Sequence, residues 1–121
     1  MTLVPTAPRL LDVSPLEAAL QKFADERDWQ QYHSPKNLAM ALTGEVGELV
    51  EVFQWLTEEQ SKEAARDPKT ARAVRDEIAD VLLFLVRLSS VLGVDLNEAV
   101  TTKLASNARK YPAGDSTPKR S

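Results

Sequence analysis

The sequence predicts an all-α fold, a bundle of four helices, and three observations carry that expectation. On the second and third expected helices, apolar residues fall on one face at helical spacing. Helix-start signals, a Ser or Asp beside Pro or three residues ahead of Glu, appear at four separate places. The chain of 121 residues holds only four glycines, and its connections are short and polar, which leaves little signal for hairpins and strands.

The elements follow in order. Residues 1–13, with two prolines and no period, read as an irregular N-terminal arm. Ser14-Pro15-Leu16-Glu17 reads as a capping box with Pro at the first helical position, and opens a first helix to about Trp29. Ser34-Pro35 repeats the signal and opens a second helix to about Leu56 or Glu59. Asp67-Pro68 marks a third start, and Gly93 a stop in the left-handed conformation. Asp95-Leu96-Asn97-Glu98 caps a fourth helix that ends before Pro112. Residues 14–111 thus form one all-α domain, and 112–121, polar and rich in breakers, a flexible C-terminal tail.

Composition excludes several classes of function. Fifteen Lys and Arg against 18 Asp and Glu give a net charge of −3, so no basic field for nucleic acid exists. With no cysteine, disulfides, thiolate catalysis and zinc-thiolate sites are ruled out, and a single histidine, His33, removes most imidazole metal sites. The longest unbroken apolar run, Val81 to Val86, is six residues, so no membrane span and no secretion signal are expected; a soluble, cytoplasmic protein is. That same run is apolar all the way round its helix. One neighbour cannot cover it, which predicts a homo-oligomer.

The chemistry lies in carboxylates that face the wrong way. With Glu45 at zero on the second helix, Leu38 and Leu56 fall at about 20°, Leu49 at about 40°, Leu42 at about 60° and Phe53 at about 80°. Glu45 is therefore inside the apolar stripe, and Glu48, at about 300°, is on its edge beside Trp55. With Glu77 at zero on the third helix, Leu88 falls at about 20°, Val81 at about 40° and Phe84 at about 340°, and Asp80 again at about 300°. Each helix carries an acidic pair at i, i+3 whose first member faces the core. Glu51, at about 240°, is by contrast an ordinary surface acid.

Unpaired carboxylates in an apolar setting either lose their charge or acquire a cation. Arg72 and Arg75 point away from Glu77, and Arg87, at about 280°, is placed to reach Asp80. The remaining way to neutralise four clustered acids is a hard divalent cation. All-oxygen ligands favour Mg²⁺, with Mn²⁺ as a substitute, and such an ion recruits phosphate oxygens. A lone E-x-x-E on a helix is usually solvated; two with matching phase on consecutive helices are not easily read that way. A di-iron bundle requires Glu-x-x-His motifs, and His33 follows no such glutamate.

At these residues the chain resembles the MazG-like superfamily of all-α nucleotide pyrophosphohydrolases, marked by E-x-x-E followed one helix later by E-x-x-D. WQQYHSPKNLAMALTGEVGELVEVFQW, DEIADVLLFLV and VDLNEAVTTKLASNARKYP are similar to its dCTP pyrophosphatase branch from about Phe23 to Pro112. The resemblance implies a MazG-like fold and Mg²⁺-dependent hydrolysis of a nucleoside triphosphate, dCTP or a modified dCTP, between the α and β phosphates. Monophosphate and pyrophosphate would be the products, and Glu45, Glu48, Glu77 and Asp80 both the metal ligands and the catalytic residues. It also implies a small oligomer, a tetramer built from dimers.

Lys103, Asn107 and Tyr111, at i, i+4 and i+8, form one stripe of the fourth helix; alone it reads as a solvated face, and the resemblance makes it a phosphate- and sugar-binding face. Trp29, His33 and Trp55 are packing residues when read singly. The resemblance turns them into a base pocket, in which the aromatic rings stack and His33 hydrogen-bonds to base or phosphate. Phe84, one turn beyond Asp80, lines that pocket or belongs to the core. Two other readings stand beside this one: the same chemistry on dUTP, other triphosphates or a phosphoribosyl metabolite, and a non-catalytic helical oligomerisation or regulatory module.

Overall fold

The computed structural model describes residues 9–114; residues 1–8 of the expected arm and 115–121 of the expected tail lie outside the described residues. Among the described residues all regular structure is helical: α1 (Ser14–Glu26), a 3₁₀ turn (Gln30–Tyr32), α2 (Pro35–Phe53), α3 (Glu58–Lys62), α4 (Ala71–Leu92) and α5 (Leu96–Lys110). The all-α expectation holds. The short α3 was not expected, although its signal is local: Thr57 and Gln60 form a reciprocal capping box in which each side chain accepts from the other's backbone N–H.

Helix starts differ in detail from the sequence reading. Ser34 caps α2 as expected, its hydroxyl accepting from the Asn37 amide at 3.2 Å, and Asp95 caps α5 through the Glu98 amide at 3.1 Å. At α1 the expected Ser14 cap is absent. Ser14 is already helical, Val13 stands at the cap position, and Asp12 accepts from the Ser14 amide at 3.1 Å. Asp67-Pro68 opens a turn rather than a helix: the Asp67 carbonyl accepts from the Thr70 and Ala71 amides, and α4 starts at Ala71.

Two helices end in the same way. Gly93, at φ 72°, closes α4 with the Val94 amide donating to the Ser89 carbonyl and the Gly93 amide to the Ser90 carbonyl. This pair of bonds is the Schellman pattern. Asp28, at φ 55°, closes α1 with the equivalent bonds from Trp29 to Ala24 and from Asp28 to Asp25. The first helix therefore stops three residues before the expected Trp29, and the reversal turns the Trp29 ring back onto Phe23.

Packing centres on α2 and α4, with α1 against α4. His33, before α2, meets Arg87 late in α4, while Glu45 and Glu48 in mid-α2 meet Glu77 early in α4, so the two helices run antiparallel. Asn97 at the start of α5 receives the amides of Leu10 and Leu11 and ties the last residues of the arm to the bundle. Among the described residues the interior is small: Ala24, Leu38, Ala64, Val74 and Val86 are its buried apolar members. Ile78, Leu82 and Leu85 on α4 and Val46 and Val50 on α2 stay exposed in the single chain.

Because Asp28 holds a left-handed conformation that costs an L-residue about 1 kcal/mol, Asp28→Gly is expected to leave stability unchanged or raise it, and Asp28→Val to lower it by about that amount or more. Gly93→Ala is expected to cost about 1 kcal/mol for the same reason. Urea unfolding of the three variants against the parent chain measures both; a stable Asp28→Val would refute the assignment.

Candidate active site

Helical phase brings Glu45 and Glu77 into the seam between α2 and α4. Glu45, Glu48 and Glu77 each place a carboxylate oxygen within 4.8 Å of the other two. Glu45 and Glu77 are half-buried and Glu48 is exposed, as the stripe positions require. One oxygen of Glu45 and one of Glu77, Oε2 in both, are buried without a hydrogen-bond partner. No described Lys or Arg forms an ion pair with the three.

Burial, the hydrogen bonds that its protonated form shares with Glu45 and Glu48, and the charges of those two acids push Glu77 up from 4.5 to about 7. Two carboxylates can share a hydrogen bond only when one holds a proton. The metal-free cluster is thus a site that either retains a proton near neutrality or accepts a cation. Three carboxylates within 4.8 Å of one another, two of them with an orphaned buried oxygen, suit a hard divalent ion, and the donor set contains no sulfur or imidazole to favour a softer one.

Asp80 does not join the trio. One turn beyond Glu77, it is half-buried and lines a neighbouring apolar cavity of about 260 Å³. That cavity is walled by Leu20 and Phe23 of α1, Trp29, His33, Leu38 of α2, and Leu83, Phe84 and Arg87 of α4. Trp29 packs edge-to-face against Phe23 at 5.5 Å and against His33 at 6.4 Å. Trp29, His33 and Phe84, separated by up to 55 residues, are brought together beside the acids. Arg87 is not at Asp80, where the sequence places it. Its Nε donates to His33 Nδ1 at 2.9 Å and a terminal nitrogen donates to Gln21 Oε1 at 2.8 Å. Burial, and secondarily the Arg87 charge, hold the His33 pKa below its ordinary value.

Other expected residues lie apart within the single chain. Trp55 is 87% exposed and lines a separate groove with Leu56, Glu59 and Thr70. Lys103 lines an open groove of α5 with Asp95, Glu98 and Ser106, away from the acids. Asn107 and Tyr111 are half-buried and outside the cavity. Sequence reasoning put Arg87 at the site but with the wrong partner, and missed Gln21 altogether. Arg87 carried a signal, a cation inside a run of apolar residues, whereas Gln21 carried none.

The fold and the acid seam define a helical carboxylate-site protein, and comparison with known proteins agrees. A model of the MazG-like family matches residues 41–119, and the chain belongs to that family. It is 46% identical over 105 residues to dCTP pyrophosphatase 1 of Bos taurus, a match covering 87% of this chain and 60% of that protein. The Homo sapiens protein of the same name is 46% identical over 106 residues, 88% of this chain and 61% of that one. The chain therefore spans about three-fifths of the length of these relatives. Among solved structures, the crystal structure of a pyrophosphatase from Archaeoglobus fulgidus DSM 4304 superposes with a TM-score of 0.76 at 38% identity, covering 89% of this chain and 99% of that one.

Glu77 binds its proton more tightly when folded, at about 7, than at its ordinary 4.5, so its contribution to stability is fully present below pH 4.5 and is lost as pH rises through 7. In metal-free protein the melting temperature of Glu77→Gln is therefore expected to gain on the parent between pH 4.5 and 8. A gap that does not change over that range, or one that moves the other way, contradicts the described cluster.

Proposed function

We propose that this protein is a Mg²⁺-dependent nucleoside triphosphate pyrophosphohydrolase acting on dCTP or a modified dCTP. The observation that carries the reading is the buried, donorless pair of Glu45 and Glu77 oxygens beside an aromatic cavity. The names of the relatives support the substrate. Glu45, Glu48 and Glu77 would hold Mg²⁺, with Mn²⁺ as a substitute and with Asp80, one turn along α4, completing the set from the adjoining cavity wall; when bound, the ion supplies the positive charge that a polyphosphate needs.

The chain's own part is binding, orientation and proton handling. Trp29, His33 and Phe84 receive the base, with stacking on an aromatic ring as the main attraction. Trp55, Lys103, Asn107 and Tyr111 complete the base, phosphate and sugar contacts, brought to the acids by assembly. Water attacks the α phosphorus, the bond to the bridging oxygen breaks, and pyrophosphate leaves nucleoside monophosphate behind. A carboxylate of the cluster takes the water's proton, and no covalent nucleophile is needed. Such an enzyme clears unwanted nucleotides from the cytoplasmic pool.

Assembly has its own support. Ile78, Leu82 and Leu85 on α4 with Val46 and Val50 on α2 leave an apolar face that water contacts in the single chain. A second copy covering it would bury that area, and a tetramer formed as a dimer of dimers accounts for both this face and the exposed Trp55.

Pyrophosphate release measured over a triphosphate panel, with and without Mg²⁺, tests the activity; dCTP is expected to lead, and dUTP in front would move the substrate but keep the chemistry. Glu45→Gln or Glu77→Gln is expected to lower turnover at least about 10²-fold. No release from any triphosphate would overturn the proposal and leave a non-catalytic helical module. Light scattering is expected to give a mass four times the 13.4 kDa chain, and a monomer at micromolar concentration would refute the assembly.

A further inference from the structure

Arg87 is a buried cation that the acid cluster does not use. It is 5% exposed, deeper than any other described arginine or lysine, and it forms no ion pair among the described residues. Burying an arginine without a carboxylate is costly, so its hydrogen bonds should carry a specific role. Both go to neutral acceptors: His33 Nδ1 at 2.9 Å and Gln21 Oε1 at 2.8 Å.

A guanidinium has five donors and no acceptor and does not lose its proton in proteins. The imidazole nitrogen that faces it must therefore offer a lone pair. A proton there would set two donors against each other. We infer that Arg87 is a positioning residue that holds His33 as the neutral tautomer with its proton on Nε2, making His33 a hydrogen-bond donor to the cavity and selecting ligands that present a carbonyl oxygen or ring nitrogen there. Nε2 has no partner among the described residues, and His33 lines the cavity with Trp29 and Phe84. Burial, which disfavours the imidazolium, acts in the same direction. Gln21 accepts from the other arm of the fork and orients it.

The cavity also has a direction. Asp80 and Arg87 both line it and lie seven residues apart on α4, about 10.5 Å of helix rise. One end adjoins the acids, and the other is the Arg87–His33 pair. Resting on the proposed activity, a nucleotide whose phosphates meet the acids sends its base to His33. Cytosine presents two acceptors, O2 and N3, to a donor placed there.

The chain has one histidine, so ¹⁵N-histidine labelling of the full-length protein gives a single ring pair to read. At pH 7, without metal or nucleotide, Nδ1 is expected to show the shift and two-bond couplings of an unprotonated nitrogen, and Nε2 those of a protonated one. Arg87→Met is expected to release the ring into a mixture of tautomers, and Arg87→Lys, which keeps a cationic donor, to restore the parent pattern in part. Protonated Nδ1 in the parent chain, or an unchanged pattern in Arg87→Met, overturns the inference. If Arg87→Met does not fold, the parent spectrum and Arg87→Lys decide.

With dCTP as the probe, Arg87→Met is expected to raise KM about tenfold while kcat changes far less, the loss of one well-placed hydrogen bond. Equal falls in kcat with KM constant would contradict the base-facing role. Should the parent protein hydrolyse no triphosphate, the proposed activity fails, while the tautomer measurement still decides what Arg87 does.

Discussion

Two carboxylate oxygens, from Glu45 and Glu77, are turned into the seam of the principal helix pair with no donor to receive them. The acid end of the site answers to that constraint. Like charges removed from water repel strongly, and the apolar contacts flanking them must hold the helices together regardless. The interior available for this is thin: Val86 is the only large side chain fully buried among the described residues. The cluster therefore holds a proton near neutrality or takes up a positive ion, and the proposed function rests on the second option.

The site is laid out along α4. Glu77 belongs to the acid trio, Asp80 and Phe84 face the cavity, and Arg87 closes its far end against His33. Charge is thus confined to two poles with aromatic and aliphatic walls between them. A ligand with an anionic end and a flat, acceptor-bearing end matches that layout better than one that is uniformly polar or apolar.

Among the described residues the single chain leaves part of its apolar surface open to water. Trp55 is open to water and Lys103 lies away from the acids. These residues were legible as candidates because residue type and helical spacing are local properties. Where they meet was not, because that depends on helices whose mutual placement no short segment encodes.

The local layer was legible along the chain: Ser34 and Asp95 as caps, Gly93 as a stop, and the faces on which Glu45 and Glu77 lie. Capping bonds and helical phase involve neighbours a few residues apart, so they can be read along the chain. Thr57 and Gln60 belonged to the same layer and were readable but unread. Helix packing alone sets that three acids gather while Asp80 lines the cavity, and that Arg87 meets His33 rather than Asp80. Phase says which way a side chain points around its helix, but the level at which it meets an antiparallel neighbour is set by how the two surfaces interlock. That register joins residues 54 apart, and no local interaction specifies it.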